Sequence, residues 1–314
     1  MPTIAIEHIT RYRYRRDVAF GEHRIRMRPR ESYDQSLLRS DLAITPQPSS
    51  LRWMHDVFGN AVALAAFDGK ADQLEVRATA TVEHRPTERA QIILEPYAAT
   101  YPFHYSAQDL PDLARSTERQ FADPDRQVDA WASRFVHGKG ERTLDLLERL
   151  TTAIQSDFAY RAREEEGTQT PCETLDRGTG TCRDYAVLMM DAARALGFAA
   201  RFVSGYLYQT GSGKARVGGQ STHAWVRVFL PGSGWVEFDP TNGIVGNHGL
   251  IRVAVARDPH HAKPMTGSWS GPEGSDIDMS VDVRIERLAD SAADDRAHND
   301  ARNGATSEKE TTAC

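Results

Sequence analysis

The sequence predicts an α+β fold with a β-rich domain at its N-terminus, and three observations carry that prediction. The first hundred residues alternate apolar and polar positions in short runs separated by turn formers. From residue 101 the apolar positions take helical spacing. Farther on the alternation returns as an antiparallel run rather than as repeated strand–helix–strand units.

Taken in order, TIAIEHITRYRY (3–14), EHRIRMRP (22–29), SLRWMHDVFGNAVALAAF (50–67) and DQLEVRATATVEH (72–84) read as strands. Gly59-Asn60 and Asp68-Gly69 fall between apolar runs, as turn formers do in hairpins. The arginines of 11–16 and 23–30 alternate with Tyr12, Tyr14, Ile25 and Met27, the pattern of a solvated sheet face, with a recognition surface for acidic groups as the alternative. This domain is expected to span 1–100.

Helical spacing then marks 109–122, 125–138 and 141–160, the last with Leu144, Leu147, Ile154 and Phe158 near one face. A further helix over 181–198 precedes strands at 201–208, 222–229 and 235–240. A late strand, 279–288, returns to one of the sheets. These elements form a second domain over 101–288, with its core at about 141–258 and 279–288 as its final strand. The tail 289–314 lacks apolar periodicity and reads as disordered, which makes Cys314 a poor candidate for chemistry.

Composition narrows the function. A chain of 314 residues fits about two domains. With 40% hydrophobic and 26% charged residues it has the make-up of a soluble globular protein. A formal charge of -6 argues against a bulk nucleic-acid binder. The N-terminus has no apolar stretch after a basic start, and no apolar run approaches the roughly 18 residues of a bilayer span, so no membrane association is expected. Three cysteines, Cys172, Cys182 and Cys314, do not make a disulfide scaffold, and a reducing cytoplasm is the expected location.

The chemistry concentrates in two segments. In GTGTCRDYAVLMMDAARALGF (178–198), Thr181 serves as N-cap with Asp184 three residues on, and Cys182 takes the first helical position. Ala186, Met189, Met190, Ala193 and Leu196 form the buried stripe, and Gly197 ends the helix. The partial positive charge and free N–H groups of a helix start lower a thiol's pKa and can hold an oxyanion.

The second segment, STHAWVRVFLPGSGWVEFDPTNG (221–243), reads as two strands joined around Pro231–Gly234. If Phe229 pairs with Trp235, Trp225 opposes Asp239 and His223 lies diagonal to it. If the register shifts by one paired step, His223 opposes Asp239 directly. Either register puts both side chains on one face, and either requires an odd-length loop. A thiol acyl-transfer site needs a cysteine, a base to take its proton and a carboxylate to fix the base's tautomer. Cys182, His223 and Asp239 are the candidates.

These two blocks resemble the Cys block and the His and Asp block of the transglutaminase-like superfamily, in the same chain order. The likeness is to the bacterial branch with an appended N-terminal β domain, and IRVAVARD (251–258) and the final VDVRIERL strand share it. The resemblance implies a papain-like core in which a helix presents the cysteine against an antiparallel sheet carrying His and Asp. It also offers Tyr160 as a second oxyanion donor beside the Cys182 N–H, with packing against a helix as the alternative. Trp225 either shields the site or packs in the core.

Other readings are weaker. Neither Cys172 with Cys182 nor His260-His261 has the spacing of a zinc site, and no EF-hand, phosphate-binding or dinucleotide fingerprint appears, so no metal and no cofactor is expected. A Cys172–Cys182 redox lock rests on proximity alone. Glu164, Glu165 and Glu166 read as a solvated loop or the border of a cleft. The function that follows is thiol-dependent acyl transfer on a peptide or protein amide, either as a cysteine peptidase or amidase or as a protein-glutamine transglutaminase. The alternatives are a non-catalytic binding or assembly module and an acyl-CoA-dependent N-acyltransferase.

Overall fold

In the computed structural model, which describes residues 1–162, 167–208, 217, 222–275 and 277–288, the chain opens with six strands. These are β1 (Thr3–Phe20), β2 (His23–Ile25), β3 (Gln35–Thr45), β4 (Ser50–His55), β5 (Ala61–Ala66) and β6 (Ala71–His84). β6 buries Leu74, Val76, Ala78, Ala80, Val82 and His84, every second residue, as a strand with one face inward must. β4 and β5 form the expected hairpin. Asp56 Oδ1 accepts the Phe58 and Asn60 N–H groups at 2.9 Å each, and Gly59 takes the left-handed φ of 72° that the turn needs.

There follow β7 (Thr100–Tyr101), α1 (Leu110–Thr117), α2 (Gln127–Ser133), β8 (Glu141–Arg142), α3 (Thr143–Asp157), β9 (Ala159–Tyr160), α4 (Pro171–Arg177), β10 (Thr179–Gly180) and α5 (Cys182–Ala195). The last part of the chain supplies β11 (Ala200–Leu207), β12 (Thr222–Leu230), β13 (Gly234–Asp239), β14 (Ile244–Val245), β15 (Leu250–Ala256), β16 (Met265–Thr266), β17 (Trp269–Ser270) and β18 (Ile277–Leu288).

Two sheets form the N-terminal region. One has the order β17-β1-β6-β3 with β18 also on β1, and the other runs β16-β2-β5-β4. Tyr14, Val18, Phe20, Ile25, Met27, Ala63, Ala65, Leu74 and Val76 fill the space shared by the two sheets. A third sheet, β14-β13-β12-β11-β15, is antiparallel throughout and carries α5 on one face. Its residues Tyr206, Ile251 and Val253, with Tyr208 just past β11, pack with Ile4, Ile6, Ala80 and Val82 of the N-terminal sheet. The core sheet is thus covered on both sides.

Several expectations change. The late strand does return to a sheet, but it pairs along β1 from Thr3↔Leu288 to Tyr14↔Ile277, so it completes the N-terminal sheet and not the second domain. Its alternating Val281, Val283 and Ile285 match the long free edge of β1. Asp68-Gly69 turns the chain between two sheets and is not a hairpin, because β5 and β6 do not pair. Only part of the second arginine group is a solvated strand face. Arg26 is buried 3.6 Å from Asp56, and Arg30 donates to the Phe58 carbonyl at 3.0 Å.

α5 is also more buried than an amphipathic stripe. Asp184, Tyr185, Val187, Leu188, Asp191 and Arg194 are covered as well, since α2, α3, α4 and the sheet surround the helix. α4 escapes helical periodicity because it is only seven residues long, yet its signals are clear: Thr170 caps it through Glu173 N–H at 3.2 Å, Pro171 opens it and Gly178 closes it in the left-handed region. β3, polar along most of its length, was not separable from a loop by pattern. The tail 289–314, with Cys314, and Glu164, Glu165 and Glu166 lie outside the described residues.

Candidate active site

Cys182 begins α5 because Thr181 stays extended, with φ -92° and ψ 174°. Asp184, fully buried, accepts the Thr181 N–H at 2.8 Å and its hydroxyl at 2.9 Å with one oxygen, and the Gln169 N–H at 2.7 Å with the other. One carboxylate therefore fixes both the helix start and the strand-like segment before α4. Gly180 is needed here, since a Cβ would sit 2.9 Å from that of Asp184. β9 and β10 pair in parallel with Tyr160 opposite Gly180, which brings the Tyr160 ring beside the first turn of α5.

The hairpin takes the first of the two registers. Phe229 pairs with Trp235 and Leu230 with Gly234, enclosing the three residues Pro231, Gly232 and Ser233. Continued past Val226↔Phe238, the register sets Trp225 against Asp239 and His223 diagonal to it. His223 Nε2 donates to Asp239 Oδ2 at 2.8 Å, with both side chains wholly buried. That bond leaves Nδ1 to face the Cys182 thiol. Nδ1 is buried without a well-aligned hydrogen bond among the described residues, but the two groups perturb each other strongly.

The electrostatics have one direction. Burial alone would raise the Cys182 thiol. The His223 contact and charge, then Arg183 and the Ala224 N–H, outweigh it, and the thiol's pKa is lowered. Burial alone would lower His223, and the Asp239 carboxylate outweighs it, with Cys182 adding, so the imidazole is raised. Burial raises Asp239, and His223, Asn242 and the Thr241 N–H bring it below its ordinary value. The combination favours a thiolate–imidazolium pair held by a carboxylate.

The remaining candidates sit around this pair. Burial and the Cys182 thiolate push Tyr160 up to about 12, the Cys182 N–H opposing them, so its phenol stays protonated beside the sulfur. Tyr160 is 39% exposed and Cys182 6%, so the tyrosine is the more open of the two to solvent. Trp225 is fully buried, stacks on His223 with centroids 6.0 Å apart and planes at 26°, and packs in the core. Cys172 forms no disulfide with Cys182. Burial and the neighbouring Asp123 raise it to about 11, which makes it a poor nucleophile.

Sequence reasoning missed Asn242 and Thr241. Asn242 Nδ2 donates to Asp239 Oδ2 at 2.9 Å, and the Thr241 N–H to Oδ1 at 2.9 Å. The Asp-Pro-Thr-Asn string carried the signal, since Asp side chains hydrogen-bond N–H groups two residues on. Among the described residues no group of three or more His, Cys, Asp or Glu side chains is placed to hold a metal ion.

Residues 129–240, which include all three candidate residues, match the model of the transglutaminase-like superfamily, and residues 4–83 match that of the bacterial transglutaminase-like N-terminal region. The chain belongs to the transglutaminase-like superfamily. This transglutaminase-like chain is 29% identical over 293 residues to an uncharacterized protein of Mycobacterium tuberculosis, covering 88% of the chain and 91% of the relative. It is 28% identical over 307 residues to an uncharacterized protein of Mycobacterium leprae, covering 90% and 98%. Its fold is similar to that of a candidate cysteine protease from Cytophaga hutchinsonii, with a TM-score of 0.70, 20% identity and 92% of each chain covered.

Proposed function

We propose that this transglutaminase-like chain is a cysteine peptidase or amidase in which Cys182 is the nucleophile, His223 the acid–base group and Asp239 its orienting partner. The observation that carries this reading is the buried 2.8 Å His223–Asp239 bond, which turns the other ring nitrogen to a thiol of lowered pKa. The thiolate attacks an amide carbonyl and forms a C–S bond. In this reading the Cys182 N–H and the Tyr160 hydroxyl receive the oxyanion. As the C–N bond breaks, imidazolium gives its proton to the departing amine. Water then gives a proton to His223 and attacks the thioester, and the tetrahedral intermediate collapses to a free acid and the Cys182 thiol. A primary amine in place of water would make the product a new amide.

The test is the pH dependence of Cys182 alkylation by iodoacetamide, read by mass mapping of its peptide. Rapid alkylation at about pH 6, well below the ordinary thiol pKa of about 8.5, and its loss in His223→Ala are the expected results. A rate that climbs only near that ordinary pKa, and that ignores the substitution, would remove the assignment.

A further inference from the structure

A small cavity of about 160 Å³ lies against the first turn of α5, with Arg183 in its wall. Its walls include Phe121 and Phe202 as apolar surface and Arg183, Lys263 and His260 as basic groups, with Asp258 the carboxylate among them. Arg183 follows Cys182 directly on the first turn of α5, so the cavity and the thiol share that turn. The volume is well below the roughly 300 Å³ at which whole small ligands are enclosed, and it suits a single side chain or chain end.

Several covered cations of this chain are engaged: Arg252 with Asp34 and Glu237, Arg119 with Asp123, Asp129 and Asp191, Arg194 with backbone carbonyls. Arg183 and Lys263, both half-buried, have no carboxylate partner among the described residues. Asp258 makes no ion pair with either cation among the described residues, and its Oδ1 accepts the His260 N–H at 2.8 Å. A guanidinium and an ammonium over an aromatic floor bind a carboxylate with an aliphatic stem: the cations take the oxygens and the rings take the methylenes.

We infer that this cavity is a specificity subsite that seats a carboxylate of the substrate, next to the amide that Cys182 attacks. The inference rests on the reading of Cys182 as the nucleophile and adds the substrate class, an acidic peptide. The carboxylate can come from a glutamate or aspartate side chain or from a chain end, and Arg183 and Lys263 are the residues that select it.

The test uses three alkylating probes of nearly equal size: N-iodoacetyl-glutamic acid α-amide, N-iodoacetyl-glutamine α-amide and N-iodoacetyl-glutamine free acid. In each the sulfur displaces iodide from the methylene carbon, and the rate is read on the Cys182 peptide by mass mapping. The glutamic acid α-amide is expected to react about tenfold faster than the neutral glutamine α-amide, as one charge-assisted contact implies. Arg183→Gln and Lys263→Gln should each reduce that ratio, and Arg183→Glu should invert it. The ratio isolates the subsite, because any change in thiol reactivity alters all probes alike.

Preference for the free acid over the glutamic acid α-amide would assign the subsite to a chain end, and the reverse to a side chain. A wild-type ratio below two for both acidic probes, or one that survives both neutral substitutions, overturns the subsite while leaving the nucleophile in place. Failure of Cys182 to react with the neutral probe any faster than an ordinary thiol overturns the nucleophile and the subsite with it.

Discussion

At the scale of single residues, the site is organised by two buried carboxylates with different duties. Asp239 acts on the imidazole, and Asp184 acts on the backbone around the thiol. Asp239→Asn keeps the size but removes the charge that outweighs burial at His223. The imidazolium is then less stable, and alkylation of Cys182 at about pH 6 should slow about tenfold or more. Asn242→Ala removes one of the donors on Asp239 Oδ2 and should slow the same reaction by about two- to threefold. Equal rates in all three proteins would detach Asp239 from the chemistry. Asp184→Ala leaves the N–H groups of Gln169 and Thr181 without their acceptor in a buried place. It should cost roughly 2–4 kcal/mol of stability in a urea titration, with no comparable loss for an exposed acid such as Glu118→Ala.

At the scale of elements, the position of His223 depends on the strand next to its own. Gly205 of β11 lies opposite His223 on β12, and on its other side the pairing with β15 shifts register between Ser204 and Gly205. A Cβ on Gly205 would meet the Ile251 carbonyl oxygen at 2.0 Å and the Trp225 ring at 2.8 Å. Neither has room to move, because one is backbone and the other is the buried ring stacked on His223. Gly205→Ala should therefore destabilise the protein by about 3 kcal/mol and disturb the near-ultraviolet circular dichroism of the tryptophans. A change within about 0.5 kcal/mol would mean that the strands part at this bulge without strain. Much at this scale was legible beforehand. The cap at Thr181, the helix from Cys182, and the odd loop that puts His223 and Asp239 on one face all follow from patterns a few residues long. α4 had equally local signals but too few turns to show a period, and β3 shows apolar alternation only at Leu42 and Ile44.

At the scale of the whole molecule, the N-terminal sheet is joined to the core sheet by apolar contact and by buried polar pairs. Arg252 of β15 is held between Asp34 and Glu237, while Gln35 accepts from the Arg252 N–H at 2.9 Å and donates to its carbonyl at 2.9 Å. His8 and His84 meet the hydroxyls of Tyr206 and Tyr208 at 3.0 Å each. Burial lowers His8 to about 4. His84 falls to about 4 as well, through burial and then the Arg252 charge, with Asp34 opposing and His248 adding. Both histidines are depressed in the folded state, so the unfolded chain binds more protons between that value and the ordinary 6.5. Their contribution is complete above about pH 6.5 and is lost as the pH falls towards about 4, at up to roughly 3 kcal/mol per histidine. The urea midpoint should accordingly drop between about pH 7 and about pH 4.5, and less steeply in a His8→Gln, His84→Gln protein. Parallel curves for the two proteins would assign the acid loss to other groups.

By itself the sequence determined the α+β class, the place of Cys182 at a helix start and, given an odd-length loop, the shared face of His223 and Asp239. Each of these depends on residues close together in the chain, where helical period, capping and strand parity act. The tertiary structure alone decided that Tyr160 stands beside the thiol, that Asn242 holds Asp239, that β18 completes the first sheet and that Arg183 and Lys263 share one cavity. Those outcomes depend on which distant strands pair and which faces pack. Local periodicity is blind to them because many pairings satisfy the same pattern, and only the burial of the whole chain selects one.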